Sequence, residues 1–350
     1  MNTDYLIKVN EREHAILNDL YDYRVMTTEQ IKKLHFNNRG YYVNKVLMKM
    51  RKKGLIKTST LKGSRKGRKG FSYHRMTETG LSRLQRSDKF VEGQSSLYVK
   101  PRQVPYLLML VDLLAELRET GWEVWDSRRV KDEYNLDPRM NIQGLVISPE
   151  NKRYGLYILP ENTTPQTLGK IHSEIALNVN NLLNDYLILS NGQLTFYEFV
   201  DRAIDPPILS NGKKPKPLNT GHSIKVYPFK MFTIKANAFQ SEKEWIEKLC
   251  SHYGFKLLSM NKNETRQSFP IIVEYKGKEW YLVDLTDSDI QKYHDIEIYS
   301  KSNSNRRWEQ RDIIAISLSV ATQANKSLEE RPSVLYYKLT SDEFIQLCTK

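Results

Sequence analysis

The chain has 350 residues, of which 39% are hydrophobic, 11% aromatic and 27% charged, which suits two or three folded domains and excludes a disordered polyelectrolyte. Its formal charge of +13 is local: residues 30–77 hold fifteen Lys and Arg and no Asp or Glu, leaving a slight negative excess on the rest. No apolar run is long enough for a membrane span, and the opening MNTDYLIKVNEREH lacks the regions of a secretory signal, so a cytoplasmic protein without a membrane partner is expected.

So dense a cationic window implies a polyanionic partner, and nucleic acid is the commonest. In chain order, Ile16, Leu17, Leu20 and Tyr21 recur at helical spacing over residues 11–23. Thr27 or Thr28 can cap a second helix carrying Ile31 and Leu34, because a hydroxyl accepts from free first-turn amides. A third helix is expected from near Arg39, with Val43, Val46, Leu47 and Met50 as its buried stripe. Tyr42, Asn44, Lys45, Lys49 and Lys52 fall outside that stripe. Gly54 stops it. Residues 55–61 and 71–76 read as paired strands around KGSRKGRKG, whose glycines allow close approach to phosphates. A short helix over 78–86 follows.

Three helices and a hairpin in this order predict a winged helix-turn-helix domain over 1–88 that binds double-stranded DNA. The third helix would enter the ~12 Å major groove and the hairpin would lie along phosphates. Tyr42, Asn44 and Lys45 are the candidates for base edges, and Arg65, Lys66, Arg68 and Lys69 for phosphates. Arg39, Tyr41, Lys49 and Lys52 complete the DNA-binding set. Packing of Tyr41 or Tyr42 against the first helix is an equally weighted alternative. Gly63, Gly67 and Gly70 lack the G-K-[S/T] ending of a nucleotide-binding loop.

Residues 89–105 read as a linker. A second domain, α/β in character, is expected over 106–204, with helices at 106–120 and 167–184 and strands at 142–147, 154–159, 187–189 and 194–200. The passage 205–222, containing PPILSNGKKPKP, reads as a second linker. A C-terminal α+β domain over 223–350 is expected, with a helix at 242–253, a hairpin at 270–275 and 279–285, a long helix at 306–325, a strand at 334–339 and a short last helix. Its hairpin-then-helix order repeats the second domain's. The whole is an α+β chain.

The stretch ILNDLYDYRVMTTEQIKKLHF…VNKVLMKMRKKGLI with its hairpin and TETG helix, followed by IQGLVISPENKRYGLYILPENTT, resembles the replication-relaxation family of plasmids and integrative conjugative elements. The resemblance covers roughly the first 190 residues. It implies a middle domain built like a degraded restriction-endonuclease core, and the leading reading is a protein of a plasmid, phage or conjugative element that acts at an origin of replication or transfer, or in the partition or control region beside it, with a replication or relaxation enzyme as partner. That core carries an Asp-Gly-type turn before one strand and an acidic pair at the end of the next. Here Gln143 precedes Gly144, and Ile158 and Pro160 stand where carboxylates are usual. A Mg²⁺ site needs anionic oxygens, and Glu161 alone supplies too few. A scaffold or second binding surface is therefore expected rather than a nuclease.

Elsewhere, Asp284, Asp287, Asp289, His294, Asp295 and Glu297 form an acidic cluster, expected to be a solvated loop and an exposed helix rather than a metal site. Cys250 and Cys348 have no metal-binding neighbours in sequence, and no H-x-H pair, H-E-x-x-H helix or G-x-S-x-G elbow occurs. The sequence thus points to no enzyme, metal or cofactor, and operator symmetry makes a homodimer the expected state. A transcriptional regulator with a sensing C-terminal region and a metal-dependent endonuclease using Asp284 are the competing readings.

Overall fold

Short apolar runs alternate with amphipathic helices along the chain, and the result is a mixed α+β fold. The computed structural model describes residues 11–37, 42–61, 70–87, 97–178, 183–208, 212, 214–260, 268–302, 311–318 and 322–349. These fall into two compact units, Met1–Glu116 and Leu117–Lys350.

In the first unit, α1 (Glu11–Tyr23), α2 (Thr28–Phe36) and α3 (Val43–Lys52) precede the antiparallel hairpin β1 (Ile56–Leu61) and β2 (Phe71–Met76), and α4 (Glu78–Gln85) follows. The apolar stripes of the helices meet in one core that includes Ile16, Leu20, Ile31, Leu47, Met50 and Leu81. α3 ends in a Schellman motif: Gly54, at φ +69°, donates to Arg51 O at 2.9 Å, and Leu55 donates to Met50 O at 3.0 Å. Thr77 caps α4, and Gly80 beside it is required by space, since a Cβ there would lie 2.4 Å from the Leu55 carbonyl oxygen.

The long apolar helix, α5 (Val104–Leu117), was expected to open the second domain and instead packs on the first. Val111, Leu114 and Ala115 join the first core, and the buried Gln30 donates to Leu108 O at 2.8 Å and Asp112 Oδ1 at 2.7 Å. The reason is geometric: α5 places its apolar stripe over the open side of that helical core.

The second unit contains two five-stranded sheets of the same design. One runs in the order β3 (Glu123–Asp126), β4 (Gly144–Ile147), β5 (Arg153–Leu159), β6 (Tyr186–Ser190), β7 (Ile224–Pro228). The other runs β8 (Lys256–Ser259), β9 (Ile272–Tyr275), β10 (Lys278–Leu285), β11 (Asp312–Leu318), β12 (Val334–Leu339). In each, the first three strands form an antiparallel meander and the last two add in parallel. The parallel crossovers are α7 (Pro165–Leu177) and α8 (Gln193–Ile204) in the first sheet. In the second they are α11 (Ile290–Ser302) and α12 (Gln323–Glu329). α6 (Ser127–Glu133), α9 (Phe229–Ala238), α10 (Glu242–Tyr253) and α13 (Ser341–Thr349) complete the unit. The repeat noted in the sequence is therefore a repeat of topology.

Several expectations fail here for physical reasons. Residues 205–222 do not separate domains, because β7 beyond them pairs with β6, and one core spans Leu168, Phe196 and Val226 as well as Tyr281, Ile296 and Ala315. Residues 194–200 are helical, with Phe196, Phe199, Val200 and Ala203 buried at helical spacing. Residues 312–318 form a strand where a long helix was expected: a parallel strand buried on both faces shows a continuous apolar run that resembles a buried helix.

Candidate nucleic-acid interface

The site is built on α3 and the hairpin beside it. Thr27 caps α2 through a full capping box, accepting from Gln30 N at 3.2 Å and donating its own backbone N–H to Gln30 Oε1 at 2.9 Å. Asn37, at φ +46°, ends α2 in the left-handed conformation. Val43, Val46, Leu47 and Met50 are buried, which turns Tyr42, Asn44, Lys45, Met48 and Lys52 outward. Tyr42 is 59% exposed, so it does not pack against α1. Its ring instead lies 5.9 Å from the Lys45 ammonium. Met48, 47% exposed, belongs to the same face and was not foreseen, although its position one turn after Asn44 and Lys45 would have revealed it.

Two lysines of α3 and its cap serve a second purpose. Glu13 of α1 is fully buried, and Lys53 Nζ meets Glu13 Oε2 at 2.6 Å while Lys49 Nζ meets Oε1 at 3.2 Å. Lys49, expected to face DNA, is thus shared with an internal anion that fixes the roll of α3. Glu13 continues the buried stripe of Ile16, Leu17 and Leu20 at i, i+3, i+4 and i+7, and that spacing is the sequence signal that could have found it.

A polar chain ties α3 to the hairpin. Arg51 Nη1 donates to Thr58 Oγ1 at 3.1 Å, Thr58 Oγ1 lies 3.0 Å from His74 Nδ1, and His74 Nε2 lies 3.0 Å from Thr28 Oγ1 at the start of α2. His74 also exchanges backbone hydrogen bonds with Met26, donating at 2.7 Å and accepting at 3.1 Å, so the link between α1 and α2 extends the hairpin. Burial, and then the nearby Arg51 charge, lower the His74 pKa to about 4, so the ring is neutral at pH 7. His74 and Arg51 were absent from the expected site, and only the fold brings them together. Arg39, Tyr41, Arg65, Lys66, Arg68 and Lys69 lie outside the described residues. Of the expected set, Tyr42, Asn44, Lys45, Lys49 and Lys52 are brought onto one helix beside the hairpin.

Residues 17–137 match the replication-relaxation family. The matched segment runs from within α1 to just past α6 and ends before β4, so IQGLVISPENKRYGLYILPENTT lies beyond it. No curated protein and no solved structure matches the chain.

Within the second unit, Gln143 and Ile158, which stand where the resemblance implies carboxylates, are adjacent: Ile158 N donates to Gln143 Oε1 at 3.0 Å. The acidic cluster is not a solvated loop, as Asp284, Asp287 and Asp289 are all buried. Asp284 Oδ2 accepts from Trp245 Nε1 at 2.8 Å, and Asp287 Oδ2 meets Lys292 at 2.9 Å and Lys225 at 3.4 Å. Asp289 accepts from Ser223 Oγ at 2.6 Å and Ile224 N at 3.0 Å. Burial pushes Asp287 upward, and Lys292 and Lys225 outweigh it and hold the carboxyl below its ordinary value. These acids, spaced closely in sequence, stitch β7 to the end of β10. Among the described residues no group of three or more His, Cys, Asp or Glu is placed to hold a metal ion, and no helix is long and apolar enough to cross a membrane.

Proposed function

We propose that this chain is a duplex-DNA-binding protein of a mobile element, acting in replication or relaxation without catalysis of its own. In this reading the first unit is a winged helix-turn-helix. α3 enters the major groove, with Asn44 and Lys45 at base edges and Lys52 at the backbone, and the hairpin and its cationic tip hold adjacent phosphates. The single observation that carries the reading is the outward face of α3, fixed in roll by Glu13 and in angle by the path from Arg51 through His74 to Thr28. The match of residues 17–137 supports the process. The noncatalytic role is supported by the amide at Gln143, the aliphatic side chain at Ile158 and the use of Asp284 and Asp287 in buried pairing. A homodimer on a two-fold-related site, and recruitment of a replication or relaxation enzyme, complete the proposal.

The test is footprinting of the full chain on DNA of the element that encodes it. A protected cluster within an origin is the expected result. Protection confined to promoters of other genes would favour a transcriptional regulator, and Mg²⁺-dependent nicking lost in Asp284→Ala would favour a nuclease.

A further inference from the structure

The outward face of α3 holds an apolar side chain at its centre, and neither the base-edge contacts nor the backbone contacts proposed above use it. The helix reads VNKVLMKMRK, without a carboxylate, and Val43, Val46, Leu47 and Met50 form its buried side. Two tethers mark the edges of the opposite side: Lys49 Nζ meets Glu13 Oε1 at 3.2 Å, and Arg51 Nη1 donates to Thr58 Oγ1 at 3.1 Å. At about 3.6 residues per turn, the sector between those two cations contains Asn44, Lys45, Met48 and Lys52, with Met48 near its middle. All four side chains are exposed.

A lone exposed apolar residue is ordinary on a protein surface. Met48 differs in its surroundings. Asn44 lies one turn before it, Lys52 one turn after and Lys45 beside it, so a thioether is set among an amide and two ammonium groups on a face that suits a polyanion. Among the described residues Met48 joins neither apolar core of the first unit, whereas Tyr21 and Tyr23 pack against one of them.

The chemistry of the side chain narrows what it can meet. A thioether donates no hydrogen bond and accepts only weakly, so it offers nothing to phosphate oxygens or to the polar base edges. The apolar group that the major groove displays is the 5-methyl of a pyrimidine, carried by thymine. An unbranched, polarisable side chain can settle on so small a target.

We propose that Met48 packs on the 5-methyl group of a pyrimidine in the major groove, next to the base edges met by Asn44 and Lys45, and thereby sets a base preference that those polar residues do not supply. The inference rests on the entry of α3 into the groove proposed above, and names the feature of the duplex that this face reads. Thymine and 5-methylcytosine both carry the group.

The test starts from short duplexes that the full chain selects from a randomised pool. Their affinities are measured again with each thymine exchanged singly for deoxyuridine and each cytosine exchanged singly for 5-methylcytosine. A loss of roughly three- to fivefold at a thymine is expected, the worth of one buried methyl group. A gain of that size at a cytosine would bear out the same contact with methylated cytosine as its source. The effect should vanish in Met48→Gln and persist in Met48→Leu, which keeps an apolar end. If Met48→Gln fails to fold, the base exchanges with the parent chain and with Met48→Leu decide. Tight binding to the parent duplex with no effect of any exchange would overturn the role of Met48 and leave the DNA-binding reading standing, whereas failure to bind any duplex would overturn both. A loss on deoxyuridine that is equally large in Met48→Gln belongs to the DNA itself and would also end the proposal.

Discussion

Glu13 shows how much of the interface depends on a residue that never touches DNA. Its buried carboxylate holds Lys49 and Lys53, so Glu13→Gln removes the charge while nearly keeping the shape. Loss of two charge-assisted contacts predicts destabilisation of the first unit by about 2 kcal/mol, read as a lower urea midpoint with an unchanged slope. Gly80→Ala is predicted to cost more than an ordinary surface change, on the order of 1–3 kcal/mol, because the obstacle is the backbone oxygen of Leu55. An unaltered midpoint in that variant would mean that α4 can move freely. His74 adds a pH dependence with a definite sign. Its folded pKa of about 4 lies below the ordinary 6.5, so the unfolded chain takes up the proton first. The contribution of His74 is complete above pH 6.5 and is lost as the pH falls toward 4. Hydrogen exchange of the β1 and β2 amides should therefore quicken, beyond its intrinsic pH dependence, over that window and do so less in His74→Asn.

At the scale of elements, α3 and the hairpin carry the proposed recognition. Asn44→Ala and Lys45→Ala are predicted to weaken specific binding more than nonspecific binding, and equal losses on both DNAs would leave these residues as backbone contacts. Lys53→Ala should lower stability without altering the salt dependence of binding, since its ammonium is spent on Glu13. These elements were legible in the sequence because each has a strong local signal: the stripe Val43, Val46, Leu47 and Met50, the hydroxyl cap at Thr27 and the stop at Gly54. The helix at Glu242–Tyr253 and the strand at Val334–Leu339 were legible for the same reason. Signals failed where burial erased periodicity. Residues 312–318 are apolar on both faces, and Phe196, Tyr197 and Phe199 gave α8 the composition of a strand. In the interface, the exposed side of α3 and the buried position of Glu13 could be read from spacing, whereas the pairings of Glu13, Arg51 and His74 could not, because their partners lie 40, 7 and 46 residues away.

At the scale of the molecule, the second unit repeats one strand order twice and joins both sheets through a single core and the acids after β10. Asp287→Asn leaves Lys225 and Lys292 without their shared anion and is predicted to destabilise this unit by about 3 kcal/mol. Both sheets should unfold in one transition, and separate transitions for the two sheets would contradict the shared core. The first unit carries the net positive window and, in the proposed function, the grip on DNA. The most direct measurement of that claim is the salt dependence of duplex binding by the full chain and by a variant with Arg65, Lys66, Arg68 and Lys69 all replaced by Ala. If each contacts a phosphate, the log-log slope falls by about 3 to 4 units, at roughly 0.9 per phosphate. An unchanged slope would remove these four residues from the interface and contradict the account.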